Sequence, residues 1–158
     1  MLVELTWEDV SIAAWIGVRR ALRARMRGRE TFYGVGSPVF DPDIVGAVGE
    51  AAVAKALNYF WLGNGSALDY AGDVGPFHVR ATEREGGCLI LHDRDDDSAQ
   101  YYLARLKLEG LAPSVELSGW IYGRDGKRQD YWRTDVRCPA YFVPQAALRP
   151  VEETPSAA

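Results

Sequence analysis

The spacing of apolar and polar positions predicts that the chain begins with a helix. Thr6 and Asp9 have the separation of a capping box, and the sequence from there to about Met26 contains few helix-breaking residues apart from Gly17. The next stretch, TFYGVGSPVFD at 31–41, is punctuated by glycine and proline. We therefore expect a first helix ending near Met26, followed by a loop.

A second helix is predicted after that loop. Asp41 can serve as the N-cap and Pro42 suits the first helical turn. The alanine-rich sequence that follows favours helix through Leu57, and Gly63 lies beyond its end.

Glu50 lies on the apolar side of this second helix. It shares a face with Val53 and Leu57, where a carboxylate is unfavourable unless another group pairs with it. Two interpretations remain open: an acid at the edge of the stripe that is solvated or salt-bridged, and a buried functional acid. Gly46 and Gly49 remove side-chain bulk beside Glu50, which would let the helix approach a sheet closely.

The remainder of the chain has the pattern of short strands. Candidate strands cover 67–70, 77–82, 88–92, 101–108 and 115–122, with EREGG and GRDGK as hairpin-like connections. Helices followed by strands indicate an α+β fold, with N-terminal helices packed on a mixed, mainly antiparallel sheet. Residues 1–149 are predicted to form one domain. Residues 150–158 lack core-forming side chains and are predicted to be a disordered tail.

Composition and charge narrow the function classes. A length of 158 residues can bury a core without metal or disulfide support, and a net charge of −4 argues against a protein that coats nucleic acid non-specifically. A local basic groove remains compatible with that charge. The two cysteines, Cys88 and Cys138, favour reduced thiols and a cytoplasmic location, and no apolar run approaches the length of a membrane span.

The segment GDVGPFHVRAT, residues 72–82, concentrates the candidate chemistry. Side chains alternate along a strand, so His78, Arg80 and Thr82 should share one face, with Asp73 on the turn just upstream. If the helix that carries Glu50 lies across that polar face, two carboxylates, an imidazole and a guanidinium would converge. Such a cluster could hold a divalent cation and a phosphate.

This order of residues resembles the PD-(D/E)XK nuclease superfamily. In that superfamily a helix acid, a turn aspartate and a strand bearing acid-x-Lys hold Mg²⁺ and promote phosphodiester hydrolysis. The segments GAVGEAAVAKALNYFW, DVGPFHVRAT, GWIYG and PAYFVPQAAL also resemble a group of small uncharacterised phage and prophage proteins, over about 7–150. The resemblance implies a restriction-endonuclease-like core.

Carried over residue by residue, the resemblance implies a role for four side chains. Glu50 matches the helix acid, Asp73 the metal-binding acid, His78 the variable acid-or-glutamine position, and Arg80 the lysine. Glu50, Asp73 and His78 would then ligate Mg²⁺ or Mn²⁺, and the imidazole nitrogen favours Mn²⁺ because Mg²⁺ prefers oxygen. Arg80 stays protonated, so it could stabilise phosphate charge but could not act as a general base.

A structural role is the alternative for the same residues. Asp73 would then make an Asx-type turn, His78 would be a hydrogen-bonded strand histidine, and Arg80 would pair with Glu50 as a buried ion pair.

Basic residues in two further segments are candidates for nucleic-acid contact. Four arginines fall roughly on one side of the first helix, as a solvated face or a surface for phosphates: Arg19, Arg20, Arg23 and Arg27. GWIYGRDGKRQDYW groups Lys127 and Arg128 with aromatic residues that could stack on bases, although core packing with a hairpin tip would account for the same pattern.

The sequence thus predicts a phage-associated, metal-dependent DNA endonuclease. The alternative is a catalytically inactive nuclease-like scaffold that binds nucleic acid or protein. The sequence leaves the oligomeric state open.

Overall fold

The computed structural model describes residues 1–27, 42–63, 72–109 and 112–152. Four expectations fall outside these ranges: the loop at 31–41, the cap at Asp41, the strand at 67–70, and the end of the tail at 153–158. Val151, which the sequence assigned to the tail, packs against the core beneath the helices.

Two long helices form in the N-terminal part of the chain, as predicted, after a short strand at Leu2–Glu4 that was not predicted. Helix α1 spans Trp7–Met26 and helix α2 spans Pro42–Ala56. The predicted capping box is present, because the Asp9 amide donates to Thr6 Oγ1 at 3.0 Å and the Thr6 amide donates to Asp9 Oδ2 at 2.9 Å. Local sequence therefore determines where α1 begins.

The strands form two sheets, and their bounds are as follows: β1 (Leu2–Glu4), β2 (Phe77–Thr82), β3 (Leu89–Leu91), β4 (Gln100–Lys107), β5 (Ser114–Tyr122), β6 (Trp132–Arg133) and β7 (Ala140–Val143). The larger sheet has the order β1-β5-β4-β2; β2 runs parallel to β4, and the other two pairs are antiparallel. The smaller sheet, β3-β7-β6, is antiparallel. The protein is thus α+β with a mixed, mainly antiparallel larger sheet.

The larger sheet lies between the helices and the smaller sheet. One apolar cluster joins α1 and α2 to Val79, Ala104 and Leu117 on one face of the larger sheet. A second cluster joins Tyr101 and Leu103, on the other face, to the smaller sheet. Both faces of the larger sheet are therefore covered by other elements.

Helix α2 approaches the larger sheet at Gly49. A Cβ placed there would lie 2.8 Å from the Ala81 Cβ and 3.2 Å from the Ala104 Cβ, closer than side chains normally pack. The predicted close approach is confirmed at Gly49. It is wrong for Gly46, where a Cβ would meet nothing within 4 Å.

A bulge in β5 changes which residues face the helices. Leu103 pairs with Gly119 but Ala104 pairs with Leu117, so Ser118 is an extra residue in β5. Before the bulge Leu117 faces the helix side, and after it Trp120 packs there while Ile121 faces the smaller sheet. Gly119 has φ of +146°, where residues with a Cβ are strained.

Two connections differ from their predicted form. EREGG joins β2 to β3, which lie in different sheets, so it is not a hairpin turn. GRDGK contains a short helix, α3 (Gly123–Gly126), followed by the 3₁₀ turn Gln129–Tyr131. Short-range turn signals identified the breaks in both places but not the partner strand, which depends on distant residues.

No helix within the described ranges combines the length and apolar character needed to cross a membrane.

Candidate functional site

Asp73 and His78 are brought together at the start of β2. The Asp73 Oδ2 atom accepts a hydrogen bond from the Val79 amide at 2.9 Å and lies 3.6 Å from His78 Nδ1. The imidazole stacks on the Tyr101 ring, with a centroid separation of 4.9 Å. Burial alone would raise the pKa of Asp73, but the contacts with His78 and Val79 outweigh it and lower the pKa. Asp73 is therefore an anion at neutral pH.

Arg80 is held by the loop that follows β3. Its guanidinium donates to Asp95 Oδ2 at 2.8 Å and to the Ile90 carbonyl at 3.0 Å, and it lies over the Tyr101 ring. Asp95 also accepts from the His92 amide. The predicted alternative of an Arg80–Glu50 ion pair is wrong, because Arg80 pairs with Asp95.

Glu50 pairs with Arg20 from α1. The two side chains form a bidentate contact with N–O distances of 2.6 and 2.8 Å, and Trp61 Nε1 donates to the same carboxylate at 3.1 Å. Arg20 also donates to the Gly63 carbonyl. Glu50 is only 6% exposed. Burial raises the pKa of Glu50, and Arg20 offsets this only in part.

The four residues implied by the nuclease resemblance therefore do not share one face of β2. Helix α2 packs on the face of β2 formed by Val79 and Ala81, whereas His78 and Arg80 point to the opposite face. The expectation that the Glu50 helix covers the polar face is wrong, because the close approach at Gly49 requires the small apolar side chains of the other face. Asp73 lies at the edge between them, and its charge acts on both Glu50 and Arg80.

Glu50, one of the three side chains expected to ligate Mg²⁺ or Mn²⁺, is engaged by other protein groups in this arrangement. Both Glu50 oxygens accept hydrogen bonds from Arg20 or Trp61. Asp73 and His78 lie beside each other, but Glu50 does not join them as a third ligand. In the described parts of the chain, no three His, Cys, Asp or Glu side chains group closely enough to hold a metal.

Lys127 has a structural role rather than the nucleic-acid contact predicted for it. Its ammonium donates to the carbonyls of Asp93 and Asp95 and to Asp97 Oδ1 at 2.7 Å. These three bonds use its three donors, and the side chain is 14% exposed. Lys127 thus holds the acidic loop that also supplies the partner of Arg80.

The arginines of α1 divide into two groups. Arg20 points inward and pairs with Glu50, so its guanidinium is not available to bind phosphate. Arg19, Arg23 and Arg27 are exposed on the outer side of the helix, as the sequence pattern allowed.

A cleft beside α3 brings three other guanidinium groups together. This arginine–aromatic cleft has a volume of about 870 Å³ and is lined by the following residues: Ile121, Arg124, Asp125, Arg128, Tyr131, Pro144, Ala146, Ala147 and Arg149. Of the residues that line it, Arg128 is the one for which the sequence predicted nucleic-acid contact. The volume of the cleft lies within the range of about 300–1,000 Å³ usual for ligand pockets.

Aromatic rings and one carboxylate position the cleft arginines. The Arg149 guanidinium lies 5.0 Å from the Trp120 ring centre and 5.3 Å from that of Tyr122, and it donates to Asp125 at 2.8 Å. Arg124 lies 4.8 Å from the Tyr122 ring centre. These contacts fix the charged groups beside a concave surface.

Sequence reasoning missed Arg124 and Arg149. Arg124 was assigned to a hairpin tip, and Arg149 stands at the end of the predicted domain, far from the aromatic segment in sequence. The backbones of Trp120 and Arg149 exchange two hydrogen bonds, of 2.9 and 2.8 Å, which bring the C-terminal segment to β5. The absence of a side chain at Gly119 permits this, since a Cβ there would lie 2.6 Å from the Arg149 carbonyl oxygen. The lone glycine within a strand pattern was the available signal.

Comparison with models of protein families, with curated proteins and with solved structures finds no match for this chain. Its function is therefore inferred from the chemistry of its own residues.

Proposed function

We propose that this protein is a nucleic-acid-binding module that holds a single strand in the arginine–aromatic cleft. The observation that carries the proposal is the convergence of Arg124, Arg128 and Arg149 on one concave surface of about 870 Å³. Guanidinium groups bind phosphate through paired hydrogen bonds, and their planar faces stack on bases.

The charge of the cleft favours an anionic ligand although the whole chain is acidic. Three guanidiniums line it against one carboxylate, Asp125, while the chain as a whole has a net charge of −4. Binding would therefore be confined to this surface, and long-range attraction to duplex DNA would be weak.

The ion pairs already present in the cleft can be exchanged for phosphate contacts. Arg128 pairs with Asp130 at 3.3 Å, and Arg149 pairs with Asp125 at 2.8 Å, with both partners in each pair substantially exposed. Exposed pairs of this kind contribute about 0–1 kcal/mol. A phosphate that accepts hydrogen bonds from the same guanidiniums can therefore displace the carboxylates at a small cost in free energy.

The aromatic rings in and beside the cleft favour an unpaired strand over a duplex. Tyr131 lines the cleft, and the Trp120 and Tyr122 rings lie against the cleft arginines. Bases that are free of a partner can turn into such a surface and stack, whereas the bases of a duplex are already stacked on each other.

The binding test compares two matched arginine variants. Fluorescence anisotropy with a labelled single-stranded DNA oligonucleotide should show a Kd raised about 10-fold by Arg128→Ala, the loss expected for a charged hydrogen bond. Arg133→Ala is the control, because Arg133 also pairs with an acid two residues further on, Asp135, but does not line the cleft. Equal effects of the two variants, or no binding by the wild-type chain, would contradict the proposal.

A PD-(D/E)XK-type, metal-dependent DNA endonuclease on a restriction-endonuclease-like core is the second candidate. The contact between Asp73 and His78, with side chains 29% and 24% exposed, is the observation that favours it. This candidate predicts a higher melting temperature in Mn²⁺, and cleavage of DNA that Asp73→Asn abolishes. The binding module predicts intact DNA, and a Kd for single strands that is unchanged in Asp73→Asn.

A further inference from the structure

Helix α1 has a second apolar stripe, on the side opposite the one that it buries. Four large apolar side chains are exposed there: Ile12 (60%), Trp15 (65%), Leu22 (51%) and Met26 (87%). With Arg19 they follow one another at steps of three and four residues, the spacing of a coiled-coil contact line. We call these five residues the α1 seam.

Helix α2 packs against the buried side of α1, which lies opposite the seam. Ala13, Gly17 and Ala21 face inward, and a Cβ at Gly17 would lie 2.5 Å from the Ile44 Cα. The seam is thus not needed for the packing of α1 on α2. Large apolar side chains that line up on an exposed helix face mark an interaction surface.

We propose that the α1 seam is the interface of an antiparallel homodimer. A twofold axis at the level of Gly17 would place Ile12 of one copy against Leu22 of the other, and Trp15 against Arg19. The first pair is apolar, and the second allows a cation–π contact. A parallel pair would instead place Arg19 against Arg19, which is repulsive.

The charges along α1 favour the same orientation. Glu8 lies in the first turn, and Arg23 lies in the last. Antiparallel pairing brings the acidic end of each helix beside the basic end of its partner. It also makes the two helix dipoles point in opposite directions, which is favourable. Glu8, Arg19 and Arg23 make no ion pair with any residue in the described ranges, so their charges are free for an intermolecular contact.

A second copy fits this surface better than a lipid bilayer or a nucleic acid does. A membrane-binding or phosphate-binding helix has basic residues along its polar face. Here the basic residues are confined to one half, and Glu8 lies at the other end. A surface with opposite charges at its two ends complements a rotated copy of itself.

Sedimentation equilibrium of the full chain tests the dimer. The wild-type protein should sediment as a dimer, and Trp15→Lys should raise the dimer Kd about 100-fold, because it removes a central aromatic side chain and places a second cation against Arg19 of the other copy. Phe60→Lys is the matched control, because Phe60 is 85% exposed but lies outside α1. Its dimer Kd should be unchanged. A monomeric wild-type chain, including one that binds anionic vesicles instead, would overturn the proposal.

Cross-linking tests the orientation. The double variant Ile12→Cys/Leu22→Cys should form an intermolecular disulfide on oxidation, and Ile12→Cys alone should not. The wild-type chain, which retains Cys88 and Cys138 as free thiols, gives the background. A disulfide-linked dimer of the single variant would indicate a parallel pair and contradict the antiparallel arrangement.

Discussion

At the scale of single residues, two of the four candidate catalytic side chains are paired with an opposite charge from another part of the chain. Glu50 is bound by Arg20, and Arg80 is bound by Asp95. A buried charge is tolerated when a second charge and further hydrogen bonds satisfy it. The pair with Arg20 therefore accounts for Glu50, the buried charged residue of the described core, without requiring catalysis.

Glu50→Gln is expected to lower the free energy of unfolding by about 3 kcal/mol, because it leaves the half-buried Arg20 guanidinium without a counter-charge. Urea unfolding measures the change. The double variant Arg20→Met/Glu50→Leu should recover most of the loss, since neither charge then remains. A loss of less than about 0.5 kcal/mol in Glu50→Gln would show that the pair does not stabilise the fold.

At the scale of elements, the sequence predicts what local signals determine. The capping box and alanine content correctly gave α1 and α2, and alternation correctly gave β2 with His78 opposite Val79. The face of β2 that meets α2 could not be predicted, because the larger sheet is covered on both sides. The partner of Arg80 could not be predicted either. Asp95 lies in the connection between the parallel strands β2 and β4, and only the folded sheet brings it to Arg80.

The pairing of β4 with β5 should depend on pH through Glu116. This residue is directly opposite Arg105, and its hydrogen bonds with Lys107 and Arg105 lower its pKa from 4.5 to about 2. A carboxyl group with a lowered pKa stabilises the fold above its unfolded-state pKa. That stabilisation is lost as the pH falls from about 4.5 to about 2.

Glu116→Gln should therefore be less stable than the wild-type protein at neutral pH, and equally stable near pH 2. Because the side chain is 34% exposed, solvent screening limits the difference to about 1 kcal/mol. Thermal unfolding at a series of pH values gives the comparison. A difference that does not change with pH would contradict the role of the Glu116 charge.

At the scale of the whole molecule, Trp15 and Arg128, the side chains to be varied at the two proposed surfaces, lie outside the two apolar clusters that hold the fold together. The α1 seam lies on the side of α1 turned away from α2, and the arginine–aromatic cleft lies beside α3. Variants at Trp15 and Arg128 should therefore change assembly and binding separately, without unfolding the protein.

Photo-crosslinking of a single-stranded DNA oligonucleotide, followed by mass spectrometry of the digested protein, tests the central claim most directly. We expect adducts on Tyr131, with a yield that falls in Arg128→Ala but not in Arg133→Ala. Adducts confined to Trp15 and its neighbours on α1, or no adducts at all, would contradict binding in the cleft.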